Sequence, residues 1–314
     1  MIVTLTPNPS IDRTVTVTEL LHGEVHRATE SRIDPGGKGI NVARALTANG
    51  SEALAVLPTG GPEGHLMEEL LQTSGTAYTA VPIAGTTRIN IAVIEPDGTT
   101  TKINEPGPTL SEDEQAAVLA AVDTALAVAE WVVGCGSLSP GQPTELYAAL
   151  VARAHAAGVR CAVDTSGAPL TAAVPAHPDL IKPNHEELEE LVGTPCRTLG
   201  EVRDAALRLV DGGISTVVVS LGRHGALAVT AAGIAHASAH IDKPVSTVGA
   251  GDSLLAGYLH AVCRGAGREE ALRTGVAWGA AAVSLPGSRM PTPADIEGIP
   301  VVSTTDPDLH IPLD

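Results

Sequence analysis

From residue 116 onward the chain alternates two hydropathy patterns. Segments whose apolar positions recur every three or four residues, as on a helix with one buried face, give way to short unbroken apolar runs. Four such runs, 131–137 (WVVGCGS), 159–164 (VRCAVD), 179–184 (DLIKPN) and 215–222 (STVVVSLG), end in glycine, serine, aspartate or asparagine. Runs of this kind are strands buried on both faces of a parallel sheet, joined by right-handed crossovers, with ligand-binding loops at their carboxyl ends. The pattern predicts an α/β fold.

The N-terminal third differs. Segments 12–34 and 84–106 alternate apolar and polar residues, and the second holds a Pro-Asp-Gly turn at 96–98. That is a hairpin signature. It predicts a small antiparallel sheet standing off the main body as a lid. No repeat, low-complexity tract or linker interrupts 1–314, which reads as a single domain with an inserted lid.

Composition narrows the partners. The chain has 314 residues, 44% of them hydrophobic, enough for a full core. With 19 Lys and Arg against 36 Asp and Glu, the formal net charge is −17, which argues against nucleic acid as a partner. It also makes a lysine inside a glycine-rich turn informative. The apolar stretch 116–134 carries Asp123 and Glu130, so it reads as a helix and a strand, with no membrane span expected. Four cysteines lie far apart without a C-x-x-C pair, and the first residues lack a basic segment followed by an apolar one; the expectation is a reduced, cytoplasmic protein.

Candidate chemistry gathers in four motifs. In STVGAGDSLLAG (246–257), Gly249, Ala250 and Gly251 lead into a helix whose unpaired N–H groups suit an anion, and Asp252 in its first turn can accept a proton. A capped helix start reads about as well from this stretch alone. In DPGGKGINVARAL (34–46), glycines surround Lys38 before a helix that buries Ile40, Ala43 and Leu46, while Asn41 faces the loop. In KPNHEELEEL (182–191), Asn184 and Glu187 have capping-box spacing and equally suit the hydration shell of a magnesium ion. SLGRHGAL (220–227) is a strand end, a Gly-x-x-Gly turn and a new strand. Arg88, Asn90, Lys102 and Asn104 dot the lid, as polar residues dot any exposed hairpin. The paired histidines of HGEVH (22–26) and HASAH (236–240) lack a third ligand at metal spacing.

Taken in order, these motifs resemble those of the ribokinase-like, PfkB-type carbohydrate kinases, over nearly the whole chain. TPNPSIDRT, GGKGINVA, TRIN, GSL and STVGAGDS resemble the branch that phosphorylates ketohexose phosphates. The resemblance implies a three-layer α/β/α sandwich with a mostly parallel central sheet and a small β-sheet lid, acting with ATP and Mg2+. Asp252 would be the general base, and Gly249, Ala250 and Gly251 the anion hole. Asp12, Gly37 and Asn41 would hold the sugar, with Lys38, Arg88 and Lys102 around its existing phosphate. Ser220, Gly222, Gly225, Gly249 and Gly251 would line the ATP site, and Asn184 and Glu187 would organise Mg2+ through water. The implied substrate is fructose 1-phosphate, with fructose 6-phosphate and tagatose 6-phosphate as alternatives and a homodimer through the lid as the implied assembly. A non-catalytic sugar-phosphate sensor is the alternative of another class. A dinucleotide-dependent oxidoreductase is disfavoured, since no G-x-G-x-x-G follows the first strand.

Overall fold

A computed structural model describes residues 1–313. Its strands are β1 (Ile2–Leu5), β2 (Ser10–Thr16), β3 (Glu30–Gly36), β4 (Ala53–Thr59), β5 (Ala77–Pro82), β6 (Arg88–Ile94), β7 (Thr100–Asn104), β8 (Trp131–Cys135), β9 (Arg160–Asp164), β10 (Leu180–Ile181), β11 (Thr216–Ser220), β12 (Ala226–Thr230), β13 (Gly233–Ala239) and β14 (Val301–Thr304). Its α-helices are α1 (Lys38–Ala48), α2 (Gly61–Thr73), α3 (Glu112–Leu126), α4 (Leu146–Ala156), α5 (Gly167–Ala173), α6 (His185–Val192), α7 (Leu199–Asp211), α8 (Ala250–Cys263), α9 (Arg268–Val283) and α10 (Pro293–Ile296).

The larger sheet has the order β14-β13-β12-β11-β10-β9-β8-β1-β4-β5. Neighbours from β11 through β5 are parallel, while β12, β13 and β14 extend the sheet antiparallel. Successive side chains of a strand leave on opposite faces. Val3, Val132 and Val163 accordingly pack with α3 to α7, whereas Ile2, Val133 and Ala162 pack with α1, α2, α8 and α9. Burial on both sides is why these strands read as unbroken apolar runs, and it makes the protein a three-layer α/β/α sandwich. The run 179–184 yields only a two-residue strand, because Pro183 has no N–H to pair and Asn184 turns away to cap α6. Asn184 rejoins the sheet through an isolated bridge to Ser220.

The smaller sheet, β3-β2-β6-β7, is mixed rather than wholly antiparallel as the alternating pattern predicted. β2 pairs antiparallel with β3 but parallel with β6, because the chain passes through β4, α2 and β5 of the large domain layers between them. The β6–β7 hairpin closes at the predicted turn, where Glu95 N donates to Thr99 O at 2.9 Å and Gly98 takes a φ of 90°. Register gives this sheet two unlike faces. Asp12 opposes Asp34 and Asn90, Asn90 opposes Asn104, and Ala92 opposes Lys102, which makes one face polar. The other carries Val15, Ile33, Ile91 and Ile103 around an exposed Arg13. Among the described residues no helix is long and apolar enough to cross a membrane.

Candidate active site

The Gly-Ala-Gly-Asp turn opens α8. Gly249 is its N-cap in the left-handed region, φ 77°, and a Cβ there would stand 2.9 Å from Met290 Cε. Only glycine suits both demands. The first-turn N–H groups of a helix lack intrahelical carbonyls, so the turn presents donors. Asp252 follows within that turn, 7% exposed, and Asn41 Nδ2 donates to its Oδ2 at 2.9 Å. Burial pushes the Asp252 carboxyl up to about 6, the charge of Asp164 adds to the rise, and Lys38, Asn41 and Lys182 oppose it. A carboxylate poised near neutrality beside a row of N–H donors can take a proton as charge develops on a neighbouring phosphoryl group.

Beneath it lies an ion triad. Asp164, the last residue of β9, is fully buried, with Lys38 Nζ 2.9 Å from Oδ1 and Lys182 Nζ 3.1 Å from Oδ2. Burial alone would raise the Asp164 carboxyl, but the two lysines together hold it below its ordinary value. Burial likewise would lower Lys38, yet Asp164 and Asp252 keep its ammonium firmly protonated. Lys182 is itself buried, and its Nζ stands 3.3 Å from the point where a Cβ on Gly251 would be. Two cations thus flank the Asp252 turn. Lys38, expected around the sugar's own phosphate, is instead at this centre.

The polar face of the small sheet forms the second part. A cleft of about 170 Å3 is lined by Asp12, Asn90, Lys102, Asn104, Val248 and Ser288, among others. Val248 joins it directly to the Gly249 turn. Asp12 Oδ1 accepts from Ser10 Oγ at 2.7 Å and from Asn90 Nδ2 at 3.1 Å. Burial raises the Asp12 carboxyl, Ser10, Asn90 and Arg88 pull it back, and Asp34 adds to the rise. A Cβ on Gly36 would fall 2.3 Å from the Asp12 carboxyl, so that glycine lets β3 lie against it. Gly37, φ 119°, caps α1 and aims Lys38 and Asn41 inward. Asn90 Oδ1 and Ser288 Oγ are buried without a hydrogen-bond partner, which suits a polar ligand in the cleft. Arg88 lies outside the lining of this cleft: its Nη1 donates to Glu105 O at 2.9 Å and its Nη2 to Asn8 O at 3.0 Å.

On the other side of the centre, Asn184 and Glu187 form the capping box of α6. Asn184 Oδ1 accepts from Glu187 N at 2.7 Å, and Glu187 Oε2 accepts from Asn184 N at 2.8 Å. Ser220 N donates to Pro183 O at 3.1 Å, which sets the Asn-x-x-Glu and Gly-x-x-Gly motifs side by side. Gly225 has a packing reason of its own: at φ 83°, a Cβ would lie 2.0 Å from Ala237 O. Gly222, φ 55°, borders open space.

Sequence reasoning passed over Asp164, Lys182 and Arg44. Asp164 had a usable signal, since it ends a parallel strand where ligand-binding residues gather. Lys182 stood inside a quoted motif but was read only as a strand residue. Arg44 also stood inside a quoted motif, DPGGKGINVARAL, but only the apolar positions, Lys38 and Asn41 were drawn from it.

Comparison with known proteins identifies the family and the fold. The model of the pfkB family carbohydrate kinases matches residues 6–295. A 1-phosphofructokinase of Rhodobacter capsulatus is 36% identical over 294 residues, 93% of each chain. The ATP-dependent 6-phosphofructokinase isozyme 2 of Escherichia coli K12 is 37% identical over 306 residues, 95% of this chain and 97% of its own. A crystal structure of Escherichia coli phosphofructokinase-2 in complex with substrates and products superposes with a TM-score of 0.89 at 36% identity, covering 95% of this chain and 97% of that one. With its sandwich, its glycine-rich turns and this extent of similarity, the chain belongs to the pfkB family of carbohydrate kinases.

Proposed function

We propose that the protein transfers the γ-phosphoryl of ATP to the 6-hydroxyl of fructose 1-phosphate, giving fructose 1,6-bisphosphate and ADP. The observation that carries the reading is Asp252: a buried carboxylate raised to about 6, held by Asn41 and set between a glycine-rich helix start and the cleft lined by Asp12, Asn90, Lys102 and Asn104. Asp12, Asn90 and Asn104 hold the sugar hydroxyls, aided by Gly37 and the Asn41 amide. Asp252 takes the proton of the 6-hydroxyl as that oxygen bonds to the γ-phosphorus and the bond to the β–γ bridging oxygen breaks. The N–H groups of Gly249, Ala250 and Gly251, with Lys38 and Lys182, stabilise the charge on the moving phosphoryl. Lys102, exposed on the polar face, meets the phosphate already on the sugar, and Arg88 shapes that end by holding the Asn8 and Glu105 carbonyls. Closure of the small sheet over the cleft keeps water from competing.

ATP lies along Ser220, Gly222 and Gly225 toward Gly249 and Gly251. Magnesium fits the residues present in one respect: with Oε2 taken up by the cap, Glu187 keeps Oε1, a hard oxygen suited to a hydrated cation. Glu187 would hold the hydrated cation through water, and Asn184, whose Oδ1 accepts from Glu187 N, keeps Glu187 in place. When bound, Mg2+ neutralises charge on the phosphates. The apolar face of the small sheet, with Ile103 59% exposed, supports a homodimer through that face, and four free cysteines support a reducing, cytoplasmic setting.

Phosphorus NMR with Mg-ATP and, separately, fructose 1-phosphate, fructose 6-phosphate and tagatose 6-phosphate tests the reading. A bisphosphate forms fastest from fructose 1-phosphate. Faster turnover of fructose 6-phosphate, the alternative favoured by the 6-phosphofructokinase relative, would overturn the substrate assignment and leave the chemistry; no transfer to any of the three would overturn both.

A further inference from the structure

Arg44 lies three residues past Asn41 on α1, its side chain only 11% exposed. Its Nη1 donates to Asn41 Oδ1 at 3.3 Å, to Pro35 O at 3.2 Å and to Ser288 O at 3.1 Å, while Nη2 is 3.9 Å from Asp34 Oδ1. One guanidinium therefore joins the end of β3, the start of α1 and the loop after α9 that lines the sugar cleft. It also settles a choice at Asn41. An amide offers donors at nitrogen and an acceptor at oxygen, whereas arginine can only donate. With Arg44 on Oδ1, Nδ2 is the end left to face Asp252, and it donates there at 2.9 Å.

We infer that Arg44 is a positioning residue for phosphoryl transfer: it orients the Asn41 amide so that it donates to Asp252, and it couples that orientation to the Ser288 end of the sugar cleft. The inference rests on the reading of Asp252 as the base. Without Arg44, the amide is free to turn Oδ1 toward Asp252, where it opposes ionisation instead of favouring it. The other charged groups that set Asp252 are Asp164 ending β9, Lys38 on α1 and Lys182 beyond β10; the nearby Cys135 thiol ending β8 is raised well above its ordinary value by burial and by the Asp164 and Asp252 charges, and so stays neutral. Arg44 touches none of them; its own charged neighbours are Asp34 and Arg32 on β3 and Asp12 on β2. A lost anchor at Ser288 O loosens a cleft wall, so the KM for the sugar phosphate rises while that for ATP holds.

The test is carbon NMR of protein labelled at aspartate carboxyls, with the Asp252 resonance identified by its absence from Asp252→Asn. Arg44→Met raises the Asp252 midpoint by about one pH unit, the usual scale for losing a hydrogen bond to the charged form. Arg44→Lys, which keeps a charge but not the planar fork, raises it by less. In an Asn41→Ala background, Arg44→Met adds no shift. An unchanged midpoint in Arg44→Met, or in Arg44→Lys should the Met variant fail to fold, would overturn the inference, as would an equal shift in the Asn41→Ala background. A merely structural arginine would lower the melting temperature and leave the midpoint alone. The base reading fails separately, if Asp252→Asn keeps its turnover, and the NMR midpoints remain readable in that case.

Discussion

Replacing Asp252 with asparagine should inactivate the enzyme and stabilise it, and the second effect can be sized from the structure. The carboxyl is buried, and burial with the charge of Asp164 raises it from 3.8 to about 6 even against Lys38, Asn41 and Lys182. A rise of about 2 units corresponds to roughly 3 kcal/mol by which folding disfavours the ionised form. Because the folded value lies above the unfolded one, the stability tied to the protonated carboxyl is complete below pH 3.8 and is lost as pH climbs through about 6. Above that the wild-type protein carries the whole penalty. Asparagine has the same shape, still accepts from Asn41 and carries no charge. Asp252→Asn should therefore gain up to about 3 kcal/mol at pH 8, on the order of 5 °C in melting temperature for a chain of this size. The gain should shrink steadily between pH 7 and pH 4.5. Calorimetric melts of both proteins across that range, beside a coupled kinase assay, measure it. A variant no more stable than wild type at pH 8, or a gain that does not change with pH, would refute the reasoning.

The same carboxylate sets an acid limb: kcat/KM should fall about tenfold from its plateau by pH 5, where a group near 6 is about one-tenth ionised, read from initial rates in constant-ionic-strength buffers. Asp164→Asn should move that limb to lower pH, since it removes a neighbouring anion and leaves Lys38 and Lys182 facing Asp252. It should also cost about 3–5 kcal/mol in urea unfolding, the scale for breaking a buried ion pair. Gly36→Ala puts a methyl against the Asp12 carboxyl and should lower kcat/KM for the sugar phosphate by on the order of tenfold or more, with the nucleotide KM unchanged in the same steady-state assay. Lys102→Ala should raise the sugar-phosphate KM more than the ATP KM; a change confined to ATP would remove Lys102 from the sugar site.

What the sequence showed and what it concealed divide along a physical line. Gly249, the capping box of Asn184 and Glu187, and the Pro-Asp-Gly hairpin depend on residues within a turn of one another, and each was legible from residue type and spacing. Lys38 and Asp164 are 126 residues apart, and their contact depends on strand order, which apolar runs do not encode. Local reading could mark Lys38 as a lysine inside a glycine-rich turn but had no way to supply the buried carboxylate it pairs with. Arg44 was hidden in part for the same reason: its link to the sugar cleft runs through the Ser288 carbonyl, 244 residues away, although Asn41 is only three residues back on the same helix. The parallel β2–β6 pairing was hidden too, since alternation specifies which face a residue takes but not the direction of its neighbour. The triad itself is a further argument for function. Three charges withdrawn from water are a poor source of stability, and apolar residues of similar volume often serve folding as well. Two ammonium groups held on one buried carboxylate, however, are fixed cations that need no reorganisation when negative charge arrives beside them. Besides countering the rise of the Asp252 carboxyl, such cations at the Gly251 turn suit the proposed passage of a phosphoryl group.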